Sequence, residues 1–251
     1  MTRPQGQRVS LSPHATDDTE ADNARHVAAF AARKARFLSV VSHELRTPLA
    51  SIASFTDSLS SDELAPSERP LALAAVQRGT ARMLTLVEDL MLISRLETGD
   101  LSLALTAVEV PTLVREAADE LTAAEPGAVV EVDVATGPAV RGDAGLLRQL
   151  VYVLAGVVIG HAADRRAQLS AEPTADGWTI TALGRQAEAL TEEHLLASTL
   201  ALAGPPARRR STALWMLLAD VTAERHGGSL TVGFDPAAGA TVTARLATRA
   251  G

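Results

Sequence analysis

From about Asn23 the chain places a stripe of residues at steps of three and four. Val27, Phe30, Lys34, Phe37, Val41, Leu45, Pro48, Ile52, Phe55 and Leu59 follow this spacing, which is the seam of a coiled coil or helix bundle. The steps 41–45–48 contain one extra four, a local slip in the heptad phase. The segment SSDELAPSERP (60–70) breaks the helix with two prolines, and Ser67 is placed to cap the next one. A second seam runs through Leu73, Val76, Thr80, Met83, Val87, Leu90 and Ser94, widened by Leu84, Met91 and Ile93. Gly99 ends it, as glycine commonly does at a helix carboxyl end. Two long helices joined by a short loop form an antiparallel hairpin. A lone hairpin has one sticky stripe and little core, which predicts a homodimeric four-helix bundle.

After Asp100 the pattern changes. Short alternating or apolar runs at Leu101–Leu105, Val129–Val134, Trp178–Ala182, Ser229–Phe234 and Ala240–Leu246 read as strands. Helical stretches lie between them at 111–124, 143–162, 191–202 and 211–226. This is an α/β layer of mostly antiparallel strands with helices on one face. Residues 1–22 are polar, carry both charge signs and have no apolar period, so they read as a flexible leader. The expected organisation is therefore a leader (1–22), a helical hairpin (23–99) and an α/β domain (100–251).

Composition narrows the function classes. Only seven residues are aromatic, four Phe, two Trp and one Tyr, so Ala, Leu and Val must build the core. The 23 basic and 30 acidic residues give a net charge of −7, which argues against general binding to nucleic acid or an anionic membrane. The absence of cysteine removes disulfides, thiolate zinc sites and cysteine nucleophiles. The longest apolar run, Leu150–Gly160, has 11 residues, short of the ~20 that span a bilayer. The amino terminus lacks an apolar signal core. A cytoplasmic location without a membrane span is expected.

The densest chemical signal is FLSVVSHELRTPLASI (37–52). His43 lies two residues from both Val41 and Leu45, roughly 200° around a helix from each, so it points outward. Glu44 is its neighbour, and Thr47 lies one turn on, on the same face. Pro48 has no N–H and leaves the Glu44 carbonyl without its helical partner, which loosens or bends the helix beside the histidine. An imidazole with one nitrogen free and the other held by an acceptor is a nucleophile.

This string resembles the phosphoacceptor box of sensor histidine kinases, and the resemblance continues along the chain. RMLTLVEDLMLISRLETGDLSL (82–103) is similar to the family's second dimerisation helix. DAGLLRQLVYVLAGVVIGHA (143–162) resembles its asparagine-box helix, and AERHGGSLTV (223–232) with GATVTARLAT (239–248) its closing helix, turn and hairpin. The resemblance implies a phosphotransfer hairpin followed by an ATP-lobe sandwich.

The departures fall at the family's nucleotide site. Aligned through Asp143, Leu147, Arg148 and Gln149, the asparagines of the first box fall at Val153 and Val157, and a hydrocarbon offers no oxygen to Mg²⁺. Aligned through Glu193 and Leu195, Arg185 stands for the adenine-binding aspartate, with Ala187 and Ala189 for glycines. Aligned through His226, Ser211, Ala213 and Trp215 replace the glycines of a phosphate-binding turn. The resemblance with these losses implies a retained fold, no bound cofactor, and no ATP-dependent autophosphorylation.

The expected function is two-component signalling by a homodimer in which His43 exchanges a phosphoryl group with a response-regulator aspartate. The regulator brings its own Mg²⁺, Glu44 orients the ring, and Thr47 positions a water for hydrolysis in the family's E-x-x-T pattern. An upstream active histidine kinase is a further expected partner. Two alternatives stay open: a divergent active histidine kinase, and a non-catalytic module that binds a kinase or regulator. Arg208, Arg209 and Arg210 read as a solvated loop end or a phosphate contact, His161 as helix-terminal, His226 as structural and Trp178 as a core strand residue. His14, His26 and His194 lack metal-type spacing, so no metal site is expected.

Overall fold

The computed structural model describes residues 14–61, 64–185, 194, 199–201 and 209–248. Contacts divide the chain into two units, Met1–Ser39 and Val40–Gly251. The described part of the first unit is helix throughout, because helix α1 spans His14–Ser60. The helix thus begins inside the stretch expected to be a flexible leader.

In the second unit, α1 from Val40 onward runs against α2 (Arg69–Thr98). Glu44 of α1 bonds Arg82 of α2, and Ile52 meets Gly79, so numbering rises on one helix as it falls on the other. Ser67 is not the cap. Glu68 occupies that position without a side-chain cap bond, its Oε2 instead accepting from the Ala65 N–H at 3.0 Å. Pro70 stands in the first turn, where a missing N–H leaves no bond unmade. Gly99 closes the helix at φ 78° and donates its N–H to the Leu96 carbonyl.

The buried stripe differs in phase from the expected seam. On α2 the buried residues are Ala72, Ala75, Gly79, Leu86, Asp89, Ile93 and Leu96, while Leu73, Leu84, Val87 and Met91 of the expected set are exposed. On α1 the buried positions are Val40, Glu44 and Pro48, with Leu49 and Phe55 exposed. Small side chains explain the choice: Ala72, Ala75 and Gly79 allow close helix contact that the bulkier leucines would prevent. Each helix therefore keeps a second, uncovered apolar stripe.

The α/β layer contains β1 (Leu105–Val108), α3 (Val110–Ala124), β2 (Val129–Val134), β3 (Val140–Asp143), α4 (Ala144–His161), β4 (Arg166–Pro173) and β5 (Gly177–Gly184). It continues with β6 (Thr199–Ala201), β7 (Arg209–Ser211), α5 (Thr212–Arg225), β8 (Ser229–Asp235) and β9 (Gly239–Ala247). The main sheet has the order β2-β4-β5-β9-β8, with β2–β4 parallel and the other neighbours antiparallel. β1 pairs with β3, and β6 with β7. The first strand lies at 105–108, not 101–105. Of the expected helix at 191–202, residues 199–201 are strand, and most of the remainder lies outside the described residues.

One face of the sheet is sealed by Leu169, Ala171, Trp178, Ile180, Ala182, Val242 and Ala244, all buried. Against it lies α4, in which every residue from Leu150 to Ile159 is buried. This helix is long and apolar enough to cross a membrane, a property the 11-residue run did not disclose. Here it packs on β4, β5 and β9 as a core helix. Trp178 is a core strand residue as expected, its indole N–H donating to the Pro138 carbonyl at 2.8 Å.

Buried His226 joins three elements. Its Nδ1 donates to the Thr222 carbonyl at 2.7 Å and its Nε2 accepts from the Asp143 N–H at 3.0 Å, which fixes the neutral Nδ1–H tautomer. Asp143 caps α4 by accepting from the Gly145 and Leu146 amides, and its other oxygen accepts from the Ala104 N–H. The glycine that follows the turn is equally constrained: a Cβ on Gly228 would lie 1.8 Å from the Arg245 carbonyl oxygen. His226→Leu removes a buried acceptor and donor together. It should lower unfolding free energy by about 1–3 kcal/mol, seen as a reduced urea midpoint at unchanged slope.

Candidate functional site

The candidate centre is the turn of α1 that carries His43. The side chain is 47% exposed, whereas that of its neighbour Glu44 is only 2% exposed. Successive helix residues differ by ~100°, so one side chain faces solvent while the next turns into the hairpin. Nδ1 of His43 and Oε1 of Glu44 are 3.9 Å apart, inside Coulombic range and beyond a hydrogen bond. The other carboxylate oxygen, Oε2, accepts from Nη2 of Arg82 on α2 at 3.1 Å. Glu44 is therefore a buried anion held from the facing helix, with its free edge toward the imidazole.

Thr47 shares the outward face with His43, and its hydroxyl makes a long 3.4 Å bond to the His43 carbonyl. So weakly held a hydroxyl remains available to another acceptor or to water. Pro48 is buried, and its carbonyl oxygen would lie 3.4 Å from a Cβ on Gly79. The structure thus brings together His43, Glu44, Thr47 and Pro48, and adds two residues that the sequence reading missed. Arg82 and Gly79 both fall on the inward stripe of α2. A cation on an inward stripe, opposite an inward carboxylate, is the signal that would have found Arg82.

The residues aligned with nucleotide boxes lie elsewhere in the fold. Val153 and Val157 of α4 are about 1% exposed each and belong to the packed core. Ser211 is buried and caps α5, its hydroxyl accepting from the Leu214 N–H at 3.3 Å. Ala213 and Trp215 in the first turn of α5 are also buried. Arg185 departs from the expectation. Burial alternates along β5 with Ala182 and Gly184 toward the helices, so Arg185 falls on the opposite, open face. It is exposed there, donates to Gln168 Oε1 at 3.3 Å, and lines a shallow hollow with Glu131, Asp164 and Arg166. The residue of β5 that faces the helix layer at that level is Gly184, which has no side chain. Ala187, Ala189 and Arg208 lie outside the described residues. Among the described residues no group of three His, Asp or Glu side chains is arranged to hold a metal.

Residues 33–99 match the His Kinase A (phospho-acceptor) domain family. The chain is 30% identical over 222 residues to "Probable sensor histidine kinase TcrY" of Mycobacterium tuberculosis, a match covering 83% of this chain and 46% of that protein. Among solved structures, the Acinetobacter baumannii histidine kinase AdeS aligns with a TM-score of 0.60 at 18% identity, over 82% of this chain and 98% of that one. ShkA, solved full-length in complex with AMPPNP, aligns at a TM-score of 0.53 and 21% identity, over 85% of this chain and 46% of that one. At these identities the two structures establish the shared fold. The chain spans less than half the length of the curated relatives it matches.

A Cβ on Gly79 would lie 2.7 Å from Cγ1 of Ile52, so Gly79→Leu should force α1 and α2 apart beneath His43. Overpacking of this kind costs about 1–3 kcal/mol. Thermal unfolding followed by circular dichroism should show the lower midpoint.

Proposed function

Since the chain belongs to the histidine kinase family of two-component signalling proteins, we propose that it is a homodimeric phosphotransfer protein in which His43 exchanges a phosphoryl group with a response-regulator aspartate. The observation that carries this reading is the exposed His43 imidazole with Nδ1 toward the buried Glu44 carboxylate. In the accepting direction, Nε2 attacks the phosphorus of the regulator's aspartyl phosphate. The N–P bond forms as the P–O bond breaks, and the aspartate leaves as a carboxylate. Nδ1 keeps its proton, and Glu44 faces the positive charge that develops on the ring. The regulator supplies Mg²⁺. Thr47, one turn away, positions a water in line with the regulator's phosphoryl group when hydrolysis competes with transfer.

The lobe takes part as a scaffold without nucleotide. Val153 and Val157 offer no oxygen to a hard cation, and both are buried. An anion site at a helix start needs free backbone amides, yet Ser211 already occupies the Leu214 amide at the start of α5, and Trp215 in the first turn is buried. The exposed leucines of the hairpin, with Val87, Met91 and Phe55, support dimerisation. A second reading, a divergent autokinase, is favoured by the likeness to TcrY, which extends across 83% of the chain.

Two measurements separate these readings. With 1 mM ATP and Mg²⁺ the melting temperature should stay unchanged, because a ligand stabilises only as far as it binds the native state; a rise of several degrees would establish the kinase reading instead. With a phosphorylated regulator, His43→Gln should abolish label on the protein while retaining some acceleration of regulator dephosphorylation. Thr47→Ala should leave label on His43 and slow its loss to water. If Thr47→Ala leaves hydrolysis unchanged and His43→Gln removes it, hydrolysis runs through phosphohistidine and the role given to Thr47 is wrong.

A further inference from the structure

Glu44 is a carboxylate almost withdrawn from water, and two cationic or potentially cationic groups compete for it. Arg82 reaches Oε2 at 3.1 Å, and His43 stands 3.9 Å from Oε1. A buried carboxylate without a counter-charge is strongly disfavoured, so it takes the nearest cation it can hold. Arg82 is charged at every accessible pH, whereas the imidazole is charged only when both nitrogens carry protons. A doubly protonated imidazole has no lone pair for attack. The group that satisfies Glu44 therefore decides whether His43 is a nucleophile.

We infer that Arg82 is a positioning residue for His43: by binding Oε2 of Glu44 from the facing helix it satisfies that carboxylate, and so leaves the imidazole neutral with Nε2 free. The geometry fits this division. Arg82 takes the shorter contact, and Nδ1 of His43 stays beyond hydrogen-bond distance, so the ring is oriented by the carboxylate without being captured as its counter-ion. The charged groups recorded against His43 among the described residues are Glu44 on α1 and, through it, Arg82 on α2. The arrangement also joins the reactive turn to α2, so a shift of one helix along the other would pull Arg82 from Glu44 and hand the carboxylate to His43. This inference rests on the phosphoacceptor reading of His43.

The test compares the full-length wild type with Arg82→Met and Arg82→Lys. Methionine keeps most of the aliphatic length without the charge, and Arg82 is 39% exposed, so the variant is expected to fold. In Arg82→Met both the loss of a nearby cation and the release of Glu44 favour the protonated ring. The pH profile for accepting label from a phosphorylated regulator should therefore move to higher pH. Acceptance at pH 7 should fall several-fold, while the maximal rate at high pH is preserved. Arg82→Lys should restore the wild-type profile. NMR titration of the His43 ring without any regulator should show the same displacement. A purely structural role for Arg82 would lower the rate at every pH and leave both profiles in place, and that result overturns the inference; so does a lysine variant that behaves like methionine. If the wild type accepts no label at any pH, the phosphotransfer reading fails, and the NMR displacement alone then decides the role of Arg82.

Discussion

The face that carries His43 depends on one buried carboxylate. Glu44 sits at an inward position of α1, where sequence periodicity alone would place a hydrocarbon, and it is tolerated there because Arg82 enters from α2. Burying a charge costs several kcal/mol unless a partner compensates it, so the pair constrains how far the two helices can slide. Once that register is set, the neighbouring positions follow. His43 emerges on one side of the helix and Thr47 above it, while Pro48 rests against α2 where Gly79 has no side chain to obstruct it. Reactive, positioning and packing residues share two turns because the helix has only those faces to give.

A separate joint holds the α/β layer. His226 links the end of α5 to the start of α4 through the Asp143 amide, and Asp143 in turn receives the Ala104 amide ahead of β1. Gly142 has room for no Cβ, since one would lie 2.5 Å from Leu147 and 2.8 Å from the His226 ring. These retained residues serve chain packing. Val153 and Val157 add apolar surface to the same core, where hydrocarbon is buried without needing a polar partner.

Much of this was legible in the sequence, and the failures have physical causes. The hairpin, the Gly99 stop, the outward His43 and four of the five strands first read were visible in period and in punctuation, with β1 displaced. The phase of the α2 seam was not, because two adjacent stripes are both apolar and only close packing chooses the one with Ala72, Ala75 and Gly79. Strand β4 was missed because RAQLSAEP alternates with small residues: Ala167, Leu169 and Ala171 face the core, and a weak alternation of alanines carries little signal. Arg185 was placed by alignment, which reports order along the chain and not the face of a strand; a shift of one residue moves a side chain to the other side of the sheet. Arg82 was missed because a charge on a helix shows nothing of the facing helix, and only the fold places it against Glu44.

The uncovered stripe and the reactive turn are compatible for a geometric reason. Taking Glu44 as the inward direction, Leu45 and Leu49 lie about 100° and 140° around α1 on one side, and His43 about 100° on the other. A partner hairpin that covers Leu49 together with the exposed leucines of α2 in the proposed homodimer therefore approaches from the side away from the imidazole. The exposed apolar surface and the polar surface around His43 occupy different arcs of the same helix. Had the charge pair stood one residue later, at Leu45, the inward direction would have rotated by about 100°, and Glu44 would have lost its shelter beside the ring. The one-residue offset between the inward stripe and the exposed apolar stripe is thus what allows a single helix to pack against α2, keep a second apolar face and expose His43 at once.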